Sequence, residues 1–364
     1  MSHAPGSLNE KVTAVREVLI GAIGAGVFKN AGFSVRCGHE GFDLFFVNGL
    51  EDPNGSRLHF DTASVTKTVV ALLTHALIKR GRVRMDMTVG EMFTSSGFEI
   101  SESVRVVTVG ELLVHSVYFN HTVGNFSELM GDDVVAAFLK ANADKGTFIY
   151  TNSCYILLGA ALEAVTGSNL QLLANEVFFE SSRSCIHWEP YVPGHLRDTL
   201  VPTWVGDQPK DRSIAGQRTH DMTTQRMHHG GRYLCGAAGV FASAPSLASL
   251  LSQVFLGDHI ISESSKAMLH VNGVGHLKRW RKPGEVPPTV ETPPEFAQFG
   301  VNMDNWLGII RNLFASHTGC QGAWVNSKKM AAMLTTDAVA YGDESRKAVQ
   351  RIFRTDILGR ILMA

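Results

Sequence analysis

The chain contains 364 residues, of which 45% are hydrophobic and 18% are charged, a globular balance that excludes intrinsic disorder. Its 33 Lys and Arg against 34 Asp and Glu give a formal net charge of -1, so no positive field attracts nucleic acid or anionic lipid, and neither is expected as a partner. The length favours two lobes or one large decorated domain.

The amino-terminal residues and the cysteines predict a cytosolic protein. No basic stretch precedes the first apolar run, and no run approaches the roughly 18 uncharged apolar residues of a membrane span. The five cysteines are scattered, odd in number and without a C-x-x-C pair, which is typical of reduced thiols and not of a disulfide framework or a structural zinc site. No metal is therefore expected. Gly21, Gly24 and Gly26 form no phosphate-binding loop, because no strand precedes them, and no cofactor is expected either.

The first predicted elements are a helix, a hairpin and a second helix. Apolar residues at helical spacing predict an amphipathic helix over residues 8–25. Two β-rich runs, 33–36 and 42–47, are separated by glycines and predict a hairpin. From residue 63 apolar side chains recur every three or four positions, and a basic last turn before Gly81 predicts the end of a buried helix.

The middle of the chain predicts helices and loops, and the last third predicts strands. Helical patterns cover residues 109–115, 132–142 and 155–165. Residues 181–235 are rich in Pro, Gly, His and charge without a clean period, which indicates a long loop region or a cap. After Gly239 strand patterns return, and a closing helix follows; the segments are 299–301, 306–310, 323–325, 330–335 and 344–362. The sheet is therefore expected to take strands from both chain ends.

Ser64 and Lys67 form the first candidate site, at the start of the helix predicted from residue 63. A spacing of three places both side chains on one helix face, and the first turn offers a developing alkoxide the positive end of the helix dipole. A lysine amine held among apolar neighbours can act as a base toward the serine. About one S-x-x-K match is expected by chance in such a chain, so a helix-capping serine with a surface lysine remains the alternative.

Two further segments carry polar groups suited to acyl transfer. Tyr150 and Asn152 precede an apolar helix, where the phenol can face the serine and the amide can bind a substrate, although a half-buried ring in a turn is the alternative. His317, Thr318, Gly319 and Cys320 follow a β-rich run. A glycine beside a strand lets a substrate approach the backbone, so the N–H groups of Cys320 and Ser64 are candidates for an oxyanion hole.

Taken in order, the Ser-x-x-Lys, Tyr-x-Asn and His-Thr-Gly segments resemble the active-site motifs of the class C β-lactamase and penicillin-binding-protein-like serine hydrolases, in their esterase or transacylase branch. Other segments resemble the same family. Residues 60–68 resemble its nucleophile segment, 107–116 its Leu-Leu-x-His segment, 155–159 the helix after the tyrosine, 236–244 a glycine-rich turn, and His220-Asp221 a pair of the esterase-like branch.

This resemblance implies an α/β (α+β) fold, with a central antiparallel sheet flanked by helices and a mostly helical lobe. It divides the chain into a discontinuous sheet domain, 1–84 with 237–364, and a helical lobe, 85–236, with the active site in the cleft between them. It implies Ser64 as nucleophile, Lys67 as its base, Tyr150 as proton shuttle, and a substrate-binding role for Asn152 and for residues 318–320.

The third motif begins with His317, where true β-lactamases have a lysine. A permanent cation that would bind the β-lactam carboxylate is replaced by a mostly neutral imidazole, which favours esters or amides and can hydrogen-bond the Tyr150 phenol. His228 and His229 have no carboxylate or cysteine at ligand spacing, so they are interpreted as solvated loop residues. Cys320 has no adjacent base and is interpreted as a small residue in a tight place.

The leading functional hypothesis is a hydrolase that forms acyl-Ser64 from a small ester, amide or lactam. The alternative keeps the acyl-enzyme and transfers the acyl group to an amine or alcohol, as in specialised-metabolite biosynthesis. A true β-lactamase ranks lower because of His317, and a D-alanyl peptidase because no export signal is recognised. A binding module without activity is kept because a fold alone does not determine a function, but it ranks lower because such a module does not need Ser64, Lys67 and Tyr150.

Overall fold

The structure is a computed structural model that describes residues 8–38, 40–54, 58–120, 128–146, 149–178, 186–201, 222–272, 310–315, 319–325, 328–338 and 343–363. Within these ranges the helices are α1 (Leu8–Gly24), α2 (Val65–Lys79), α3 (Val89–Met92), α4 (Glu102–Arg105), α5 (Val109–Leu113), α6 (Asp132–Leu139), α7 (Asn152–Thr166), α8 (Leu170–Phe178), α9 (Met222–His228), α10 (Ala244–Leu256), α11 (Glu263–Asn272), α12 (Asp343–Arg351) and α13 (Leu358–Met363).

The strands in the same ranges are β1 (Ala31–Cys37), β2 (Glu40–Val47), β3 (Leu50–Glu51), β4 (His59–Asp61), β5 (Val117–Asn120), β6 (Asn142–Lys145), β7 (Ile186–Trp188), β8 (Leu200–Val201), β9 (Val240–Ala242), β10 (Ile310–Ala315), β11 (Gln321–Val325) and β12 (Met330–Thr336). Short 3-10 turns cover Glu189–Tyr191 and Gly194–Thr199. No single described helix is long and apolar enough to cross a membrane; α7 and α8 meet the length and composition only as a pair bent by 77°.

The main sheet joins the two ends of the chain. Its order is β10-β11-β12-β1-β2-β3, and every neighbouring pair is antiparallel. The predicted hairpin is β1 with β2, and Phe33 lies opposite Leu44 on one side and Leu334 of β12 on the other. The prediction of a central antiparallel sheet flanked by helices is confirmed, with strands from both ends of the sequence.

Both faces of this sheet are covered, which explains why β12 is buried along its whole length. One face packs against α1 and against the last helices, and Val15, Leu19 and Phe353 lie in that core layer. The predicted closing helix is divided into α12, a π-helical turn over Ile352–Ile357, and α13. Complete burial of a Val, Leu or Phe side chain stabilises the fold by roughly 1.5–3 kcal/mol.

The other face of the sheet is covered by α10, although the sequence analysis predicted only that strand patterns return after Gly239. The predicted strand 299–301 lies outside the described residues, and so does 306–310 except for its last residue. The short strand β9 is present, but it is followed by α10 and α11 before the sheet resumes, so that prediction was incomplete. The start of α10 carries ordinary helix signals: the Ser243 side chain accepts the Ser246 N–H, and a proline occupies the first turn. The apolar side chains Leu247, Leu251 and Val254 are fully buried.

The middle of the chain also contains strands that the sequence analysis did not predict. A second sheet has the order β7-β9-β4-β8, and β5 pairs with β6 as a separate hairpin. Side chains from α2, α5, α7 and α10 share one hydrophobic core with Trp324 and Met333 of the main sheet. The division into two domains at residues 84 and 237 remains a prediction.

Candidate active site

Ser64 lies in a tight turn between the end of β4 and the start of α2. The Thr62 N–H and hydroxyl both bond the Val240 carbonyl, at 2.9 and 2.8 Å, and thereby attach the turn to β9. Ala63 follows with a φ of +48°, a left-handed conformation that costs a non-glycine residue about 1–2 kcal/mol. The Asp61 carboxylate accepts the Ala63 N–H at 2.8 Å and supports this conformation.

Ser64 and Lys67 do not have the surface roles of the alternative interpretation. The Ser64 side chain makes no capping hydrogen bond to α2, and the Lys67 side chain is completely buried. The Lys67 Nζ lies 3.0 Å from Ser64 Oγ and 2.8 Å from the Ala237 carbonyl oxygen. These two polar partners offset the cost of burying an amine in an apolar core, which would otherwise reach several kcal/mol.

The Tyr150 phenol completes a group of three around the serine. Its OH lies 2.9 Å from Ser64 Oγ, although the two residues are 86 positions apart in sequence. The Lys67 amine lies 5.2 Å from the centre of the Tyr150 ring. The structure therefore places the Ser64 hydroxyl within hydrogen-bonding distance of both an amine and a phenol, and both are proton carriers.

His115 is a site residue whose role the sequence analysis did not assign, although it lies in the Leu-Leu-x-His segment. Its imidazole is completely buried, with its ring centre 4.8 Å from that of Tyr150 and 5.0 Å from that of Tyr155. Its carbonyl accepts the Ile149 N–H at 3.0 Å, and its Nδ1 faces the Thr151 N–H at 3.5 Å. His115 thus holds the backbone on both sides of Tyr150 while its ring packs against the phenol.

The Ala237 carbonyl belongs to a four-residue segment, Leu234–Ala237, which we term the strap. The Glu163 carboxyl accepts the Leu234 N–H at 3.0 Å, and the Trp188 indole donates to the Cys235 carbonyl at 3.0 Å. Gly236 packs directly on α7, because a Cβ placed on Gly159 would lie 2.9 Å from the Gly236 Cα. A glycine at both positions permits this contact between backbones.

His228 was interpreted as a solvated loop residue, and the structure corrects this. It is the last residue of α9, and its side chain is only 6% exposed. Its Nε2 accepts the Cys235 N–H at 3.1 Å, and its Nδ1 lies 3.3 Å from Glu189 Oε2. The error arose because metal-ligand spacing tests only for side-chain ligands, whereas the partners of His228 are a backbone N–H seven residues away and a carboxylate 39 residues away.

The structure describes only some of the other predicted site residues. Asn152 is the first residue of α7 and is partly exposed. Gly319 has a φ of +90° and its carbonyl accepts the Thr336 hydroxyl at 3.1 Å, while Cys320 is completely buried just before β11. His317 and Thr318, like the His220-Asp221 pair, lie outside the described residues. The roles assigned to all of these residues remain predictions.

Two groups beside the site are held in their neutral forms. Burial raises the pKa of the Cys154 thiol to about 11, and this thiol donates to the Val117 carbonyl at 3.2 Å. Burial also raises the pKa of Tyr155, whose phenol donates to the Leu113 carbonyl at 3.0 Å. Neither group is therefore a competing nucleophile near neutral pH. The part of the chain that is described holds no cluster of three or more His, Cys, Asp or Glu suited to a metal ion.

A comparison with known families identifies the family of this chain. The sequence model of the Beta-lactamase family matches residues 47–354, a span that contains Ser64, Lys67 and Tyr150. The chain belongs to the beta-lactamase family. The resemblance to class C β-lactamases and penicillin-binding proteins, which are serine hydrolases, is thereby confirmed.

Individual relatives agree with this assignment. Penicillin-binding protein 4 of Amycolatopsis lactamdurans is 31% identical over 233 residues, a match that covers 61% of this chain and 58% of that protein. The structure of EstCE1, described as a hydrolase with promiscuous acyltransferase activity, superposes with a TM-score of 0.66 at 13% identity, covering 97% of this chain and 98% of that one. A class C beta-lactamase from Rhodobacter sphaeroides gives a TM-score of 0.62 at 17% identity, covering 96% and 99%. These superpositions show a β-lactamase/transpeptidase fold.

Proposed function

We propose that this family member is a serine hydrolase that forms an acyl-enzyme on Ser64 from a small ester, amide or lactam. The observation that carries the proposal is the position of Ser64 Oγ, 3.0 Å from the Lys67 amine and 2.9 Å from the Tyr150 phenol. A serine hydroxyl needs a nearby base to become a nucleophile, and a leaving group needs a nearby acid. In this arrangement one amine and one phenol serve both needs.

In the proposed acylation, Ser64 Oγ attacks the substrate carbonyl and its proton passes to the Lys67 amine. A tetrahedral intermediate forms, with its negative charge on the former carbonyl oxygen. The bond to the leaving group then breaks, and Tyr150 delivers a proton to the departing oxygen or nitrogen. The phenol is restored by the proton held on Lys67, which lies beside its ring. The products are acyl-Ser64 and a neutral alcohol or amine.

In the proposed deacylation, water repeats these steps in reverse and releases the acid. We assign the oxyanion hole to the N–H groups of Ser64 and Cys320. In enzymes of this kind, removing one such donor typically lowers kcat by about 100- to 1,000-fold. The N-terminal position of Ser64 on α2 adds the positive end of the helix dipole. Asn152, Thr318 and Gly319 are proposed to bind the acyl group, and His317 to hydrogen-bond the Tyr150 phenol.

The test is intact-protein mass spectrometry after exposure to esters, thioesters and β-lactams, with a fluorophosphonate as a general serine probe. We expect a single acyl adduct that disappears in Ser64→Ala and persists in Ser264→Ala, a matched control at an exposed serine of α11. A chromogenic ester should give a burst of product before steady turnover. An adduct that survives Ser64→Ala, or no adduct with any donor, would refute the proposal.

A second candidate function is acyl transfer, and the likeness to EstCE1, whose description includes promiscuous acyltransferase activity, favours testing it. The acyl-Ser64 intermediate would be the same, and an amine or alcohol would replace water in the second step. Added amine acceptors should then shift the product from acid to amide at an unchanged rate of adduct formation. A product ratio that does not respond to the acceptor would leave hydrolysis as the function.

A further inference from the structure

The strap that accepts the Lys67 amine is held by side chains and not by a sheet or helix ladder. Two backbone N–H groups of the strap donate to side chains: that of Leu234 to the Glu163 carboxyl and that of Cys235 to the His228 ring. The Cys235 carbonyl accepts the indole N–H of Trp188. Two residues further, the Ala237 carbonyl accepts the Lys67 amine at 2.8 Å. The position of that carbonyl thus depends on buried side chains from other segments.

The hydrogen bonds of His228 define its tautomer. Its Nε2 accepts the Cys235 N–H, so this nitrogen carries no proton, and the ring proton of neutral His228 must lie on Nδ1. Nδ1 faces Glu189 Oε2 at 3.3 Å and donates to it. A carboxylate that receives one ring N–H fixes both the tautomer and the orientation of an imidazole, as it does for histidines that bind metals.

Glu189 is itself attached to the same part of the chain. Its backbone N–H donates to the Gly239 carbonyl at 2.9 Å, so the His228–Glu189 pair is attached to the chain on both sides of Ala237, at Cys235 and at Gly239. Gly239 has a φ of +99°, and a Cβ there would lie 3.1 Å from Cε1 of His228. The imidazole therefore packs against the backbone just after the strap as well as bonding within it.

We infer that His228, oriented by Glu189, is a positioning residue for the Lys67 amine, and that it acts by fixing the Ala237 carbonyl through the strap. A lysine side chain has four rotatable bonds, and a fixed second acceptor restricts the amine to the position 3.0 Å from Ser64 Oγ. This inference rests on the proposed function, because it concerns the base of that reaction. It predicts an effect on acylation from a residue whose side chain bonds the strap and Glu189.

Contacts other than those of His228 also hold the strap in place. The Gly159–Gly236 contact and the Glu163 carboxyl hold the strap independently, so replacing His228 should displace the carbonyl by a small distance without unfolding the protein. His228→Leu removes the acceptor at similar volume, whereas His228→Gln restores an amide oxygen near the position of Nε2. Glu189→Leu and Glu189→Gln form a second pair of the same kind, and His229→Leu is a control at the exposed neighbouring residue.

The experiment measures two quantities in each variant: the rate of acyl-Ser64 formation with a chromogenic ester, and the hydrogen exchange of the peptide that contains the strap. We expect His228→Leu to slow acylation about 10- to 100-fold with little change in KM, the usual effect of losing an orienting partner. Exchange at the Cys235 amide should increase. His228→Gln should recover most of the rate and of the protection, Glu189→Leu should resemble His228→Leu, and His229→Leu should match the parent protein.

The outcomes separate this inference from the proposed function. If the parent protein acylates Ser64 and His228→Leu does so at the same rate, the positioning role is refuted while the acyl-enzyme stands. If His228→Gln is as slow as His228→Leu although both melt at the same temperature, an acceptor at this position is not what matters, and the inference fails. If the parent protein forms no adduct, the proposed function itself is wrong, and the role of His228 in it is wrong as well.

Discussion

The buried carboxyl of Glu163, which accepts a hydrogen bond from the strap, should make the stability of the protein depend on pH. Glu163 is 6% exposed on α7, and burial raises its pKa from 4.5 to about 8, although bonds from the Leu170 and Leu234 N–H groups favour the ionised form. The folded protein therefore keeps this proton to a higher pH than the unfolded chain does. The perturbation that isolates the effect is Glu163→Gln, which keeps the shape and one acceptor oxygen but does not titrate.

The sign and size of the effect follow from proton linkage. Between the two pKa values of Glu163 the unfolded chain binds fewer protons, so stability falls as the pH rises, by about 1.4 kcal/mol per unit. This stability is fully present below about pH 4.5 and is lost by the time the pH passes about 8. From about pH 5.5 to about pH 7.5, the parent protein should therefore lose about 2–3 kcal/mol relative to Glu163→Gln.

The assay is urea denaturation followed by tryptophan fluorescence at several pH values, with the free energy of unfolding taken from each transition. The quantity of interest is the difference between the parent protein and Glu163→Gln, because the other titrating groups cancel in it. Glu17→Gln, at an exposed position of α1, is the matched control and should show a constant difference. A Glu163→Gln difference that stays within about 0.5 kcal/mol across this range would refute the reasoning.

Three further substitutions test the site and its support. Gly159→Ala should destabilise the protein by about 1–3 kcal/mol in urea denaturation, because the new methyl group meets the Gly236 backbone at 2.9 Å, and an unchanged midpoint would contradict that packing. Tyr150→Phe should slow formation of acyl-Ser64 about 100- to 10,000-fold in a burst assay, and an acylation rate equal to that of the parent would remove the phenol from the mechanism. Lys67→Met should abolish measurable acylation and lower the free energy of unfolding by about 1–3 kcal/mol, because the Ala237 carbonyl loses the amine that it accepts. Retained acylation would exclude Lys67 as the base.

Much of the fold was accessible from local patterns. The spacing of apolar residues predicted α1, α2 and α7 close to their observed bounds, because each helix presents a stripe to a core. The helix α10 was missed although Ser243 and a proline mark its start, since the strand patterns on both sides dominated the interpretation. The unpredicted strands β7 and β8 are only three and two residues long, too short for an alternating pattern to be recognised.

The sequence alone was enough to predict that Ser64 and Lys67 lie near each other, because a separation of three residues at the start of a helix places both side chains on one face. It left open whether the lysine is buried against the serine or exposed at the surface. Two other contacts became visible only in the folded chain: the Tyr150 phenol lies beside the Ser64 hydroxyl, and His228 bonds the strap. The first contact spans 86 residues and the second only seven, but both arise from how helices and turns pack, which no local pattern of residues specifies.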